Sequence, residues 1–405
     1  MSDYDVAIIG SGPSGIAAAT GLIRAGITNI IVFEREAEIG GIPRHTHHQS
    51  FGMLVFKRPM SGPKYIKKLL KRCAGVRFET STTVLAIQEG GVLDLTTPEG
   101  QKTICARHIV LATGARETPR HGRLISGLRP QGIITTGALQ QFIYTGKMKP
   151  FQRPVIVGTE LVSFSALWTL RHAGINPAAM IEENSRTTAY RPAALFARLL
   201  GVPIFYRSKV VDIADVEKLS RVEIENASGE KQSIACDGVI FSGKFTGDNN
   251  LAKASHMGLN RGTQFPLVDQ NWISTDPNIS VIGNTVHPAD MGDQCYLEGL
   301  ESGRKVAEKI GGNAPSGCQI PVEPGEGIRM TTPNMLRVGA SKIVVSLNLH
   351  VTKAYSGPIS VTYNGETLYK KRHRCLPARR ITLKRIQLKG AVENTDLPLE
   401  IHLGE

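Results

Sequence analysis

The stretch Asp5-Val-Ala-Ile-Ile-Gly10-Ser-Gly12-Pro-Ser-Gly15 decides the fold of this chain. Its apolar run, Val6 to Ile9, reads as a buried strand and enters a glycine-rich turn directly. A helix pattern follows from Ile16 to Ala25, and then a second strand, Asn29 to Phe33, that ends in Glu34. Strand, turn and helix in this order give the glycine spacing its physical meaning. Gly10 permits the tight turn, Gly12 lets the backbone approach a pyrophosphate, and Gly15 lets helix and strand pack closely. Pro13 and Ser14 stand at the helix N-terminus, which faces the phosphates with its partial positive charge. Glu34 lies nineteen residues after Gly15, where an acid accepts hydrogen bonds from an adenosine ribose. Arg35, beside it, joins the candidate binding residues.

Two later segments narrow the reading. Arg107-His-Ile-Val-Leu-Ala112-Thr113-Gly114 is an apolar strand ending in Ala-Thr-Gly, and Ile279-Ser-Val-Ile-Gly283-Asn284 is a short strand ending in Gly and an amide. Gly10, Thr113-Gly114 and Gly283-Asn284 would converge at the carboxyl ends of parallel strands, where open α/β sheets bind ligands. With these three motifs in order, the chain resembles the two-dinucleotide-domain flavoproteins of the pyridine nucleotide–disulfide oxidoreductase superfamily over about residues 1–312. The resemblance implies FAD on the first turn, with Ala112-Thr113-Gly114 lining it and Gly283-Asn284 at the ribityl chain and pyrophosphate. Asn284 stands where the family usually has Asp, and an amide bonds a hydroxyl without carrying charge.

The fold class expected is α/β: two Rossmann-like three-layer dinucleotide-binding domains plus a C-terminal all-β module. Residues 1–118 and 240–312 read as the FAD domain, 119–239 as an NAD(P)-binding-like domain, and 313–405 as a β-sandwich-like domain. A connection spans 119–152. A second βαβ unit then runs through Pro154-Val-Ile-Val-Gly158, a helix from Leu161 to Ala173, and a strand from Ala178 to Ile181 that ends in Glu182. Its turn, Gly158-Thr-Glu160-Leu-Val-Ser163, keeps one glycine of three. Glu160 places a side chain where a pyrophosphate would approach. Two readings stay open: a site of unusual geometry at Gly158, Glu160 and Glu182, taking NAD or another adenine nucleotide in preference to NADP, or a scaffold that has lost its ligand. Asp237 to Lys244 reads as the strand returning the chain to the FAD domain. Pro315, Pro321, Pro324 and Gly325 mark a linker. Beyond it come strand patterns and the hairpin turn Asn364-Gly365, with an interaction or packing role expected.

At 405 residues, 41% hydrophobic and 20% charged, the composition is that of a soluble globular protein. No apolar stretch reaches the length of a membrane span, and no basic segment or cleavage site precedes Asp5, so a cytoplasmic protein is expected. None of the six cysteines forms a Cys-x-x-Cys pair, and none lies between Gly41 and Cys73. Zinc, an iron–sulfur cluster and a disulfide-reductase dithiol are therefore not expected. The net charge is +13, but neither a binding helix nor an aromatic platform points to nucleic acid. Residues 331–405 hold twelve Lys or Arg against five acids, a solvated face or a surface for an acidic partner or anionic lipid.

Gly40-Gly41-Ile-Pro43-Arg44-His45-Thr46-His47-His48 follows the second strand. The resemblance runs this loop, with Gly41, along the pyrophosphate toward the flavin and lets Arg44 meet phosphate or the flavin edge. Three histidines in four positions do not make a zinc site, which recruits ligands at wider spacing. A helix from Gln294 to Ile310 should aim its N-terminus at the flavin pyrimidine. The Gly-Gly-x-Pro-Arg-His loop, the Gly283-Asn-Thr-Val-His287-Pro run and the degraded second turn together resemble the FAD subunits of heteromeric dye-linked dehydrogenases, such as hydrogen cyanide synthase, opine oxidases and proline dehydrogenase complexes. That resemblance implies an FAD-dependent oxidoreductase subunit in an oligomer. It would pass electrons between a small organic donor or NADH, its flavin and a partner flavoprotein subunit. A self-sufficient NADH-dependent flavin oxidase or reductase, and a non-catalytic partner-binding module, are the alternatives. No catalytic residue is assigned, because the flavin carries the redox chemistry.

Overall fold

The computed structural model describes residues 2–189, 191–215, 217–313, 317–339, 341–377, 379–388 and 397–404. Pro315 and the charged Lys389, Glu393, Asp396 and Glu405 lie outside them.

In the first sheet the parallel strands stand in the order Arg77–Glu79, Ile30–Phe33, Tyr4–Ile9, Gly100–Leu111, with Ile279–Val281 beside the last. Both faces are covered, so the first strand is apolar at every position from Val6 to Ile9 rather than alternating. Its side chains still divide by the strand's period of two. Val6 and Ile8 enter one core with Ala18, Leu22 and Val306. Ala7 and Ile9 enter another with Leu93 and Leu95. The register decides the site. Ile9 is paired with both Phe33 and Leu111, and Leu111 with Val281. The residues that follow these strand ends, Gly10, Glu34, Ala112 and Ile282, therefore stand in one row.

The first helix is Pro13–Arg24, beginning three residues before the periodic pattern does. Pro in the first turn loses nothing there, because that N–H has no intrahelical partner. The long helix Gly292–Ile310 starts two residues before the expected Gln294. The two helices pack backbone to backbone. A Cβ on Gly299 would stand 2.3 Å from the Ser14 carbonyl oxygen, and one on Gly303 2.2 Å from that of Ala18.

The second sheet is also parallel, in the order Ile204–Phe205, Ala179–Ile181, Pro154–Val157, Gly238–Phe241, Ile133–Thr135. Two expectations change here. Gly238–Phe241 belongs to this sheet, and the return to the first domain comes after it, at Phe245–Gly247 against Ala115–Glu117. The expected connection 119–152 supplies the strand Ile133–Thr135 and the helix Thr136–Gln140. A three-residue strand is too short to show a period, and its neighbours in the sheet are what hold it extended.

Residues beyond 317 form a sandwich. One sheet runs Met335–Val338, Cys318–Pro324, Leu399–Leu403, Tyr355–Tyr363, Glu366–Cys375, and the other Ile328–Thr332, Ile343–Val351, Ile381–Leu388. Residues of both fill one core. Asn364 and Gly365, at φ 49° and 77°, make the expected turn between Tyr363 and Glu366. The expected linker around Pro321 and Pro324 is in fact the strand Cys318–Pro324. Pro321 is the last residue paired with one neighbour and Pro324 the last paired with the other, so each missing N–H falls at the end of a ladder. The sandwich is fastened to the first domain. Asn334 accepts from the Val268 amide (2.7 Å) and donates to the Pro266 carbonyl (3.0 Å), while the buried Asp269 carboxylate pairs with Arg337 at 3.0 Å. Among the described residues no helix is long and apolar enough to cross a membrane.

Candidate functional site

The first glycine turn is built as the sequence implies. Gly10 sits at φ +103°, and a Cβ there would meet the Ala112 carbonyl oxygen at 2.5 Å. A Cβ on Gly15 would stand 1.9 Å from the Gly10 carbonyl oxygen, so helix and strand touch through bare backbone. Gly12 differs. It has extended backbone, and no atom lies within 4 Å of where its Cβ would be. That open side, with the N-terminus of Pro13–Arg24 behind it, is the cradle a pyrophosphate needs. Across it runs the Gly40-Gly41 loop, where a Cβ on Gly41 would come 3.0 Å from Gly12 Cα.

Glu34 is buried at the end of the second strand. It accepts from the Ser11 amide (3.1 Å), the Ser11 hydroxyl (2.6 Å) and the Glu36 amide (3.0 Å). A carboxylate offers about four acceptor sites, so one remains for a ribose hydroxyl. Ser11 was not foreseen. It also accepts from the Gly40 amide at 2.9 Å, tying turn, acid and loop together. Its only sequence signal is a hydroxyl between the first two glycines.

The remaining motifs meet the turn. The Thr113 hydroxyl donates to the Asp248 carbonyl (2.5 Å), and the Gly114 amide donates to the Thr285 hydroxyl (2.9 Å). Gly283, at φ +65°, lies so close to Ser14 that a Cβ would stand 2.1 Å from its hydroxyl oxygen. Gly10, Gly12, Pro13, Ser14, Gly15, Glu34, Gly41, Ala112, Thr113, Gly114, Gly283 and Asn284 thus form one neighbourhood. Asn284 spends its amide locally: it donates to the Asp290 carbonyl (3.1 Å) and accepts from the Asp290 amide (3.0 Å). An ionised Asp could not do both, which gives the amide a reason of its own. Gln294 accepts from the Met291 amide at 3.1 Å and caps its own helix. Arg35 points outward, its side chain 66% exposed, 3.6 Å from Asp248. Arg44 donates to the Glu38 carbonyl at 2.8 Å and lies near the carboxylates of Glu36 and Glu38.

The three histidines go separate ways. His47 stacks on Tyr144 at 3.9 Å, and His48 bonds Ser50 at 2.7 Å. His45 is buried with both ring nitrogens unpartnered, as is Nε of Arg44. Burial, then Arg44 and His47, lower its pKa to about 4, so it is neutral at pH 7. Unpartnered buried nitrogens beside the open cradle fit a ligand with polar atoms of its own. The Thr46 hydroxyl meets Gln140 (3.1 Å), which donates to Ser165 (2.8 Å), joining this loop to the middle domain. Asp293, also unforeseen, accepts from the Gly52 (3.2 Å) and Leu54 (2.8 Å) amides and fastens the next loop to the long helix.

Behind the Gly283 turn lies a buried chain of charged groups that no motif announced. Glu298 accepts from the Gly283 amide (2.6 Å) and pairs with His287 Nε2 (2.6 Å); His287 Nδ1 lies 2.9 Å from Asp290. Burial works against the imidazolium, but Glu298 and Asp290 outweigh it and raise His287 to about 10. Asp290 in turn meets Arg380 of the sandwich at 2.6 Å. Burial pushes the Asp290 carboxyl up, while His287 and then Arg380 hold it below its usual range.

The second turn repeats the plan with side chains added. Gly158 sits at φ +113°, like Gly10. Thr159 takes the place of Ser11, donating to Glu182 as Ser11 does to Glu34. Glu160 takes the place of Gly12; its carboxylate accepts from the Lys244 amide at 2.9 Å and lies where a Cβ on Gly243 would be. Thr188 takes the place of Gly40, its amide donating to Thr159 at 3.0 Å. Its hydroxyl adds a bond to Glu182 at 3.2 Å, and Asn184 adds two more, at 2.8 and 2.7 Å. Glu182 therefore has about four acceptor sites and four donors from its own chain.

All six cysteines are free. Cys295, at the start of the long helix, is buried; burial, then Asp290 and Glu298, push its pKa up and keep the thiol protonated.

Residues 4–303 match the family model described as pyridine nucleotide-disulphide oxidoreductase. One of the two opine oxidase subunits known by letter, that of Rhizobium meliloti, is 26% identical over 270 residues, which are 65% of this chain and 57% of that protein. The chain thus spans little more than half of that relative. Hydrogen cyanide synthase subunit HcnB of Pseudomonas aeruginosa is 22% identical over 381 residues, 83% of this chain and 75% of that one. Among solved structures, T. acidophilum thioredoxin reductase superposes with a TM-score of 0.63 at 17% identity, over 76% of this chain and 99% of that one, a likeness of fold.

Proposed function

The chain belongs to the pyridine nucleotide-disulphide oxidoreductase family, and from that membership we propose that it is an FAD-dependent oxidoreductase working as one subunit of a heteromeric dehydrogenase. In this reading electrons pass from a small organic donor, through FAD, to a partner protein. FAD would supply the electron-accepting ring. The backbone from Gly10 to Gly15 would hold its pyrophosphate, Glu34 its adenosine ribose, and Thr113 and Gly283 would line it. His45, buried and neutral, would offer an unpaired nitrogen beside it.

One contrast carries the choice of electron donor. Glu34 has three bonds from the chain and a free acceptor site beside an open turn. Glu182 has four bonds, and Glu160 fills the turn beside it. An adenine nucleotide entering the second site must displace those bonds, whereas FAD entering the first displaces none of Glu34's. That favours electron entry from an organic donor over NADH. The two relatives named as parts of larger enzymes, the opine oxidase subunit and HcnB, support the heteromeric part of the reading.

The test is anaerobic. The protein, reconstituted with FAD, is titrated with NADH and separately with opines, the donor class in one relative's name, while flavin absorbance is followed. Slow or absent bleaching by NADH is expected. Rapid stoichiometric bleaching by NADH would overturn the assignment of the donor and favour the self-sufficient NADH-dependent oxidase or reductase.

A further inference from the structure

The C-terminal sandwich reaches the flavin site through one side chain. We propose that Arg380 is a positioning residue for the Gly283–Met291 loop, and that the sandwich is thereby a working part of the cofactor site. This rests on the reading of the first glycine turn as the FAD site.

The geometry is a continuous chain. Arg380 Nη1 lies 2.6 Å from Asp290 Oδ2; the same oxygen lies 2.9 Å from His287 Nδ1; His287 Nε2 lies 2.6 Å from Glu298 Oε2; and Glu298 Oε1 accepts from the Gly283 amide at 2.6 Å. Side-chain exposure is 3% at Asp290, 1% at His287, 8% at Glu298 and 19% at Arg380. Two carboxylates and two cations alternate, so the chain is neutral only when Arg380 completes it. His350 of the sandwich closes the other side of Asp290 at 3.9 Å. Without Arg380, two buried carboxylates share a single imidazolium, and a buried charge left unpaired is costly. The loop can relieve that by letting Asp290 turn to water. Asp290 also holds both bonds of the Asn284 amide through its backbone. Its release therefore loosens the loop as far as Gly283, the residue packed on Ser14 at the cradle.

The experiment uses the full chain with Arg380→Ala, Arg380→Gln, Arg380→Lys and, as a control on the same sandwich, Lys371→Ala. Two quantities are measured: hydrogen exchange across residues 283–291 in FAD-free protein, and the dissociation constant for FAD from flavin fluorescence. Arg380→Ala and Arg380→Gln should raise exchange in that loop while the sandwich strands stay protected. They should also weaken FAD by about ten-fold or more, within the usual range of coupling between sites. Arg380→Lys should restore part of both, and Lys371→Ala should change neither. Should the alanine variant fail to fold, the near-isosteric glutamine decides. Unchanged exchange across 283–291 in a folded Arg380→Gln protein would overturn the inference. If the parent chain takes up no FAD, the flavin reading fails instead, and the exchange measurement still decides the role of Arg380.

Discussion

Glu34 and Glu182 end the second strands of two βαβ units built on one plan, and they differ in how far the chain satisfies them. Glu34 takes three hydrogen bonds from its surroundings and Glu182 takes four. The difference comes from two added side chains. Where the first unit has Gly12 and Gly40, the second has Glu160 and Thr188, and those additions occupy the space and the acceptor site that a dinucleotide would use.

Gly12→Val should abolish FAD binding and leave the fold intact. The added side chain would enter the open side of the turn, and Gly12 already has the extended backbone that valine prefers. Gly15→Ala should instead damage the fold, because its Cβ would stand 1.9 Å from the Gly10 carbonyl oxygen, an overpacking that costs about 1–3 kcal/mol or more. FAD content after denaturation and thermal melts separate the two. Retained FAD in Gly12→Val would contradict the assignment of the cradle.

Any nucleotide bound at the second turn should be NAD in preference to NADP. At ~4 Å and an effective dielectric of about 20, Glu182 and a 2′-phosphate would repel by about 4 kcal/mol before relaxation. Calorimetry showing NADP bound more tightly than NAD would sink this. Glu160→Gly, which empties the turn, should strengthen NAD if the second site can be reopened.

Arg337→Ala should cost about 3–5 kcal/mol of stability, the usual penalty for stranding a buried charge. Asp269, its partner, has a fully buried side chain, and burial raises its pKa even with Arg337 and the Asn271 and Ile273 amides bonded to it. Urea unfolding measures the loss, and a change below about 1 kcal/mol, the scale of surface pairs, would mean that the pair does not hold the sandwich.

Stability should fall at both ends of the pH range. His287 is raised from 6.5 to about 10, so its contribution is complete below pH 6.5 and is lost as pH rises toward 10. His108 is buried against Ser280 and lowered, by burial and then Lys309, to about 3. The unfolded chain therefore takes up its proton first, and stability drops as pH falls below 6.5 toward 3. Melts across pH should show both arms. His108→Gln should flatten the acid arm and His287→Gln the alkaline one; unchanged slopes would refute the assignments.

On sequence alone, removing residues 313–405 should spare the flavin and weaken only a partner contact. Arg380 on Asp290 and Arg337 on Asp269 change that expectation: the truncated chain should lose FAD affinity as well as stability. Flavin fluorescence on the truncated protein checks it, and full affinity in a folded core would mean that the sandwich serves association alone.

The sequence by itself determined what is local. Gly10, Gly12 and Gly15 declare their turn because backbone approach and φ depend on a few adjacent residues. The Asn364-Gly365 turn and the absence of a dithiol near Gly41 were legible for the same reason. Strands of three or four residues were not, since Ile133–Thr135 and Gly238–Phe241 are extended only by the neighbours they pair with. Nor was the strand through Pro321 and Pro324, where two ladders happen to end at the prolines. The tertiary structure alone decided that Asn284 serves Asp290, that Thr188 completes Glu182, and that Arg380 meets Asp290 from ninety positions away. Those contacts join side chains that are remote in sequence, and a buried charge finds its partner only when whole domains have packed.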